Sequence, residues 1–382
     1  MSRHCEIAGA GFAGVVAAIA LRQRGWTVQV HERAPSLRAF GAGIFIWENG
    51  LRVLDAVGCY EPVLSAAHEA PHYAVRGPDN NLIGEKVFGP EIGTRMLTLT
   101  RQGLFQPLLD RALELGVQFK VGSNIVRAIE GGALVDQDGR TYRADLIVGA
   151  DGVNSNCADA LGIQRHRVQA GHGAIRLLID RKANDLGDLC SDDVVAFHSR
   201  SSRRLLYVPC DKRTLYLCFT MAADDATGSA IPLNRLTWSE SFPHMRHLLD
   251  RVEDQGRWDL FETVRASRWV SGSAALVGDA VHGMTPALGQ GAGCAMMNAL
   301  TLAKAVSETD NIPVALAEWE RCERPLTEYT QGLAERLTAG GSGSLSKDEF
   351  LPDGTKWDEA TLRTARHRPL RDAPRPEVVA GT

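Results

Sequence analysis

The sequence predicts an α/β protein: a Rossmann-type domain that carries an inserted antiparallel β-sheet and is closed by C-terminal helices. Three observations predict this. A glycine-rich turn, Gly9-Ala10-Gly11-Phe12-Ala13-Gly14, follows a short apolar strand at the N-terminus. Alternating strand-like runs take over from about residue 171 to residue 263. The apolar run Ala274-Ala275-Leu276-Val277 then leads into Gly278-Asp279, and helical patterns follow. A chain of 382 residues, 44% hydrophobic and 23% charged, is long enough for two domains and can bury a core.

Along the chain, residues 4–8 read as a strand, 12–24 as a helix stopped by Gly25, and 27–31 as a second strand. Leu104, Leu108, Ala112 and Leu115 give a helical stripe after Arg101. Residues 134–137 and 141–142 flank Asp138-Gly139 as a hairpin, and 145–149 form a buried strand that ends in Ala150-Asp151-Gly152. Residues 174–179, 205–209 and 214–220 are strands of the inserted sheet, and 314–337 form a long helix. The expected domains are 1–70, 98–170 and 265–345 for the nucleotide-binding unit, and 71–97 with 171–264 for the substrate unit. Residues 340–346 are expected to be a flexible connection, and 346–382 a loosely held tail.

Composition narrows the function. The net charge is −4 with no long basic run, so no surface for nucleic acid or anionic lipid is expected. Eight cysteines lie scattered without a CxxC pair or zinc spacing, which argues against a redox dithiol, predicts no bound metal and suits a reducing cytoplasm. The apolar stretch 7–21 follows no positive segment, so it is not read as a signal peptide.

The glycine turn sits where a phosphate-binding turn belongs, between a strand and a helix. Gly9 permits the tight turn, Gly11 lets backbone N–H groups approach a pyrophosphate, and Gly14 lets helix and strand pack closely. Glu32, 18 residues beyond Gly14, ends the next strand, where a carboxylate accepts protons from both hydroxyls of a ribose. Asp279 at a second strand end suits a polyol chain. The run Pro286-Ala287-Leu288-Gly289-Gln290-Gly291-Ala292-Gly293 exposes backbone donors at a helix start, which suits the negative charge of a reduced flavin. Arg101 opens a helix, where the macrodipole disfavours a cation, and so calls for an anionic neighbour.

The glycine turn at 9–14, Asp151-Gly152 with Ser155, and Gly278-Asp279 with the 286–293 run together resemble the single-component FAD-dependent aromatic hydroxylases. The resemblance implies tight, non-covalent FAD, NAD(P)H as a transient co-substrate, and O2 that reacts through a flavin C4a-hydroperoxide. It implies FAD contacts at Gly9, Gly11, Phe12, Ala13, Gly14, Glu32, Arg33, Arg38, Arg101, Asp279, Gly289, Gly291, Ala292 and Gly293. Arg38-Ala39-Phe40-Gly41-Ala42-Gly43-Ile44, Asn49-Gly50-Leu51-Arg52-Val53-Leu54 and Gln290-Gly291-Ala292-Gly293-Cys294-Ala295-Met296 are similar to family members that hydroxylate and open a hydroxypyridine carboxylate. Pro209-Cys210, Leu215-Tyr216-Leu217 and Pro369-Leu370-Arg371 extend that likeness.

The substrate contacts implied are Phe45, Tyr73, Arg176, Arg204, Tyr216 and Pro286, with Pro286, Tyr216 and Arg204 nearest the chemistry. The expected substrate is a small aromatic or N-heteroaromatic acid, with a benzoate or salicylate hydroxylase, or a non-oxygenating reductase, as the alternatives. A monomer or homodimer is expected. Two departures stand out. Ala158 replaces the arginine that usually follows the Asp-Gly motif, which removes a salt bridge from that loop. Phe45 stands where the hydroxypyridine enzymes have tyrosine, which changes the polar group the pocket can satisfy.

Overall fold

The computed structural model describes residues 2–39, 41–186, 191–339 and 357–370. Phe40, Cys190, the expected connection at 340–346 and residues 371–382 lie outside the described residues.

A six-stranded sheet forms the centre of the nucleotide-binding unit. Its order is Val270–Ser271, Ala274–Leu276, Leu146–Gly149, His4–Ala8, Thr27–Glu32 and Gln118–Val121. All neighbours run parallel except the edge pair Val270–Ser271 and Ala274–Leu276. Strands Leu146–Gly149 and Ala274–Leu276 are continuous apolar runs and wholly buried, as strands covered on both faces are. Helix Phe12–Arg22 packs against helix Gly291–Ser307, and Val15, Val16, Ile19 and Leu21 are fully buried there. Helix Phe12–Arg22 stops two residues short of the expected end. Gly25 takes φ +84, its N–H reaches the Arg22 carbonyl (3.1 Å), and the Trp26 N–H reaches the Leu21 carbonyl (3.2 Å). That is the hydrogen-bond pattern of a glycine-terminated helix.

The hairpin forms as expected, with Ala133–Asp136 antiparallel to Thr141–Arg143 and also to Ile125–Ile129. A small sheet, Gly43–Trp47, Met96–Thr100 and His68–Glu69, adjoins the inserted sheet.

The inserted sheet has seven strands in the order Trp258–Ala266, Arg165–Asp180, Thr214–Ala222, Arg203–Pro209, Val195–Arg200, His72–Arg76 and Leu82–Val87. It begins at Arg165, ahead of the expected residue 171. It is antiparallel except at one pair: Val195–Arg200 runs parallel to His72–Arg76. The hairpin at 72–87 belongs to an earlier excursion of the chain, and neighbours not joined by a tight turn can run parallel.

Successive residues of a strand point to opposite faces of a sheet. One face carries Ile175, Leu177, Leu205, Tyr207, Leu215, Leu217 and Phe219, all buried against Trp238, Phe242, Leu248 and Leu249. The other face looks toward the nucleotide-binding unit.

The long helix spans Ile312–Ala339. Within the stretch expected as a tail, Trp357–Ala365 forms a further helix. Ala360 packs with Leu333, the Thr364 hydroxyl meets that of Thr330 (2.6 Å), and Arg52 donates to the carbonyls of Arg366 and His367 (2.6 and 2.9 Å).

Candidate active site

The parallel strands of the central sheet deliver the nucleotide-binding residues from their carboxyl ends, where ligands of open α/β sheets bind. Gly9 follows the first strand with φ +101, and a Cβ there would lie 2.3 Å from the Ala150 carbonyl oxygen. Gly11 is exposed, nothing lies within 4 Å of where its Cβ would be, and it caps helix Phe12–Arg22 without a side-chain hydrogen bond. The first N–H groups of that helix therefore remain available to an anion. Gly14 and Ala13 serve packing: both are buried, and a Cβ on Gly14 would lie 2.0 Å from the Gly9 oxygen.

Glu32 ends the second strand. One carboxylate oxygen accepts the Ala10 N–H (3.0 Å) and the other the Ala34 N–H (2.8 Å), which fixes the loop around it. Gly9, Gly11, Phe12, Glu32, Arg33, Arg38 and Arg101 line a single cleft of about 350 Å³.

Arg101 opens helix Arg101–Glu114, whose N-cap Thr100 accepts the Gly103 N–H (2.9 Å). Its guanidinium lies 5.1 Å from the centre of the Phe12 ring, and its Nε is buried without a hydrogen-bond partner among the described residues. Burial lowers its pKa, and Asp279 opposes that fall. Gly41, at φ +99, leaves room for it, since a Cβ there would lie 2.8 Å from Arg101 Cδ. Asp279 starts the short helix Asp279–His282 behind Gly278 at φ +65. Its carboxyl is pushed up by enclosure within the protein and pulled back by Arg101. More than a third of its surface is nevertheless free, as expected of a side chain lining an internal recess. A pyrophosphate for Arg101 and the helix start, with a polyol for Asp279, fits these unsatisfied groups.

The segment expected to face the flavin is a 3-10 turn, Pro286–Leu288, with Pro286 and Ala287 exposed. Gly289 follows at φ +62. Helix Gly291–Ser307 begins with Gly291 and Ala292 half-buried and without a side-chain cap. Gly293 is a packing position: a Cβ there would meet Gln290 Oε1 at 2.9 Å and Asn49 Nδ2 at 3.1 Å.

Cross-strand registers bring the expected substrate residues to one face of the seven-stranded sheet. Arg176 pairs with Cys218 and Cys218 with Leu206, so Arg176, Tyr216 and Arg204 share that face. Tyr73 joins them through its pairing with Val195. Arg176 lies 3.6 Å from Asp259, a carboxylate that Arg257 also holds (2.8 Å), and its guanidinium sits 5.5 Å from the Phe261 ring centre. Burial pulls its pKa down, and Cys218, Tyr216 and Asp259 together hold it above its ordinary value. Arg204 differs. It is half-buried, burial alone lowers its pKa, and it has no ion pair or hydrogen bond among the described residues. Its neighbour Arg203 is paired with Asp225 through two hydrogen bonds (2.6 and 2.8 Å).

Gly43, Phe45 and Trp47 alternate along one strand and face the same recess. A Cβ on Gly43 would lie 2.2 Å from the Tyr216 ring, and one on Gly289 would lie 3.1 Å from Phe45 Cβ. Pro286 opens the turn whose Leu288 carbonyl and Gly289 meet this strand. A larger surface hollow of about 690 Å³, beside Ile179, Arg235 and Arg251, contains none of these residues and opens to solvent.

Residues 4–311 match a family model described as an FAD binding domain. The structure of 2-methyl-3-hydroxypyridine-5-carboxylic acid oxygenase, in a tetrameric form, superposes with a TM-score of 0.88 at 39% identity, over 97% of this chain and 98% of that one. This chain belongs to the FAD-dependent aromatic hydroxylases. Further relatives of this hydroxylase include the 2-heptyl-3-hydroxy-4(1H)-quinolone synthase of Mycobacteroides abscessus, 38% identical over 89% of the chain and 91% of the relative. The 6-hydroxynicotinate 3-monooxygenase of Pseudomonas fluorescens is 28% identical over 85% and 88%. The chain is thus an FAD-dependent monooxygenase.

Several residues of this hydroxylase's cleft carried no motif. Ser36, Ser123, Asn124, Asn154 and Asn156 line it as well. The signal available for Ser123 and Asn124 is position, because they follow the carboxyl end of a parallel strand. The Asp-Gly loop also keeps its support despite Ala158. Arg165 donates to the Val153 and Ser155 carbonyls (2.8 and 3.1 Å) and to Asp159 (2.7 Å), while Ser155 caps helix Asn156–Ala160. Among the described residues, no group of three or more His, Cys, Asp or Glu side chains is placed to hold a metal, and no helix is long and apolar enough to cross a membrane.

Proposed function

We propose that this monooxygenase acts on an N-heteroaromatic acid, a 3-hydroxypyridine carboxylate or a close analogue. The observation that carries this reading is Arg204: a half-buried guanidinium without a partner among the described residues, on the face shared by Tyr73, Arg176 and Tyr216. A guanidinium withdrawn from water calls for an anion, and its planar fork suits a carboxylate. Arg176, which shares the Asp259 carboxylate with Arg257, supports the Tyr216 side of the recess. Pro286, exposed at the start of the turn Pro286–Leu288, would help exclude water from the reacting ring.

FAD, held along Gly9, Gly11, Glu32, Arg101 and Asp279 and reduced by NAD(P)H, supplies O2 activation and oxygen transfer. The chain's own part is to hold the ring, fix its anionic group and keep the site dry. The seven described cysteines are all free, which supports a reducing, cytoplasmic setting.

A second reading has its own observation. Trp47, Phe88, Tyr73 and Phe197 form a chain of ring contacts along the recess (5.1, 5.4 and 5.3 Å between centroids), which would also suit an apolar-substituted quinolone such as the relative's name describes. Hydroxypyridine carboxylates, hydroxybenzoates and 2-alkyl-4-quinolones, screened by NAD(P)H oxidation with product mass, decide between the readings and separate hydroxylated from ring-opened products. With Arg204→Met, the acid's KM should rise about tenfold to a hundredfold, the value of a charge-assisted hydrogen bond, while FAD stays bound. Coupled turnover of hydroxybenzoates or alkylquinolones alone, with hydroxypyridine carboxylates inert, sinks the pyridine reading.

A further inference from the structure

We propose that Trp47 is a positioning residue: by holding the Leu288 carbonyl and walling the substrate recess, it sets the separation between the substrate ring and the flavin-facing turn. The proposal rests on the aromatic-substrate reading above and adds a residue to it.

Trp47 ends the strand Gly43–Trp47, on the face that also carries Gly43 and Phe45. Its indole N–H donates to the Leu288 carbonyl at 3.1 Å, and its ring meets Phe88 edge-on at 5.1 Å. Phe88 in turn touches Tyr73, so one side chain joins the wall of the substrate sheet to the turn Pro286–Leu288. Contact with the turn is close. A Cβ on Gly289 would lie 3.2 Å from the indole nitrogen, and Gly289 sits at φ +62, where a side chain is strained.

The rear of the turn is braced differently. Thr285 donates to the Ala334 carbonyl (2.9 Å), and the Leu288 side chain packs near Leu333 on the long helix. Trp47 is the support on the recess side. Loss of its N–H leaves a carbonyl without its donor and lets the turn relax toward the recess, while the rear brace keeps the fold. The consequence falls on ring-to-flavin geometry, where a displacement of about 1 Å can cost about a hundredfold in rate.

Two variants test this. Trp47→Phe keeps a ring against Phe88 and removes the donor, whereas Trp47→Leu removes both. For Trp47→Phe, the FAD affinity of the apoprotein and the KM for the aromatic substrate should stay within about threefold of wild type, while the share of NAD(P)H oxidation that ends as H2O2 rises about threefold or more. The visible circular dichroism of the bound flavin should change as well. Trp47→Leu should add a rise in KM of about tenfold.

The proposal is overturned if Trp47→Phe leaves both coupling and flavin dichroism unchanged. It is equally overturned if both variants lose FAD affinity, melting temperature and rate in parallel, which marks a purely structural side chain. If no aromatic compound stimulates NAD(P)H oxidation in the wild type, the substrate reading fails instead, and the flavin dichroism of Trp47→Phe alone decides the role of Trp47.

Discussion

Asp279 and Arg101 act on each other electrostatically, each offsetting part of the cost of the other's enclosure within the protein. Removing the carboxylate leaves Arg101 with a second deficit besides its unpartnered Nε. A charge-assisted hydrogen bond is worth roughly 1.5–3 kcal/mol, so Asp279→Ala should weaken FAD binding about tenfold to a hundredfold. Titration of the apoprotein with FAD checks this, and unchanged affinity means Asp279 does not touch the cofactor. These two residues were legible in the sequence because each breaks a local rule: a cation at a helix start and an acid after an apolar strand. Trp47 and Arg165 break none. Trp47 reads as the last residue of an alternating strand, and its importance comes from Leu288, 241 positions away. Arg165 takes over the support of the Asp-Gly loop from outside the motif, so the motif's own letters cannot reveal it.

Helix Ile312–Ala339 shows the same division at the level of an element. Its apolar period made it legible, and its observed ends lie two residues beyond the expected ones. Its buried charge was not legible. Glu323 is only 7% exposed, and burial pushes its carboxyl up to about 7, partly opposed by a hydrogen bond with Thr301. The folded protein therefore keeps this proton to about pH 7, whereas the unfolded chain releases it near 4.5. Stability from this group is full below the unfolded value, falls as pH rises through that interval and levels off above it. Glu323→Gln should abolish this slope and be more stable than wild type at about pH 8 by on the order of 2–3 kcal/mol, with little difference at about pH 4. Urea denaturation at the two pH values is the measurement, and equal slopes for the two proteins would refute the assignment. Helix Trp357–Ala365 escaped the sequence reading because it is short and its support is distant: Thr330, Leu333 and Arg52 lie in other elements. The parallel pair within the inserted sheet escaped for a related reason, since a hydrophobic period marks a strand but not its neighbour.

For the molecule as a whole, the residues that would hold FAD come from the ends of several strands, among them Gly9 and Glu32. Ligand that binds only the folded state stabilises it by about 2.7 kcal/mol at a hundredfold excess over Kd. Stripping FAD should therefore lower the melting temperature, and adding FAD should restore it. FMN should not, because Glu32 and the 350 Å³ cleft would receive the adenosine half that FMN lacks. Full rescue by FMN would show that this cleft is not used for the nucleotide.

The two faces of the seven-stranded sheet have a consequence for divergence. Odd and even positions of the same strands do different work: Ile175, Leu205, Leu215 and Leu217 hold the helical layer, while Arg176, Arg204 and Tyr216 look into the recess. A point mutation at an inward-looking position can thus retune ligand preference with little disturbance to the packed layer one residue away. Descendants of one ancestral scaffold could adopt new rings by sampling alternate letters of a few strands, without first acquiring compensating changes elsewhere. A single-residue slip of register would exchange the two sets at once, placing arginine among leucines, and so the buried layer specifies the pairing strongly.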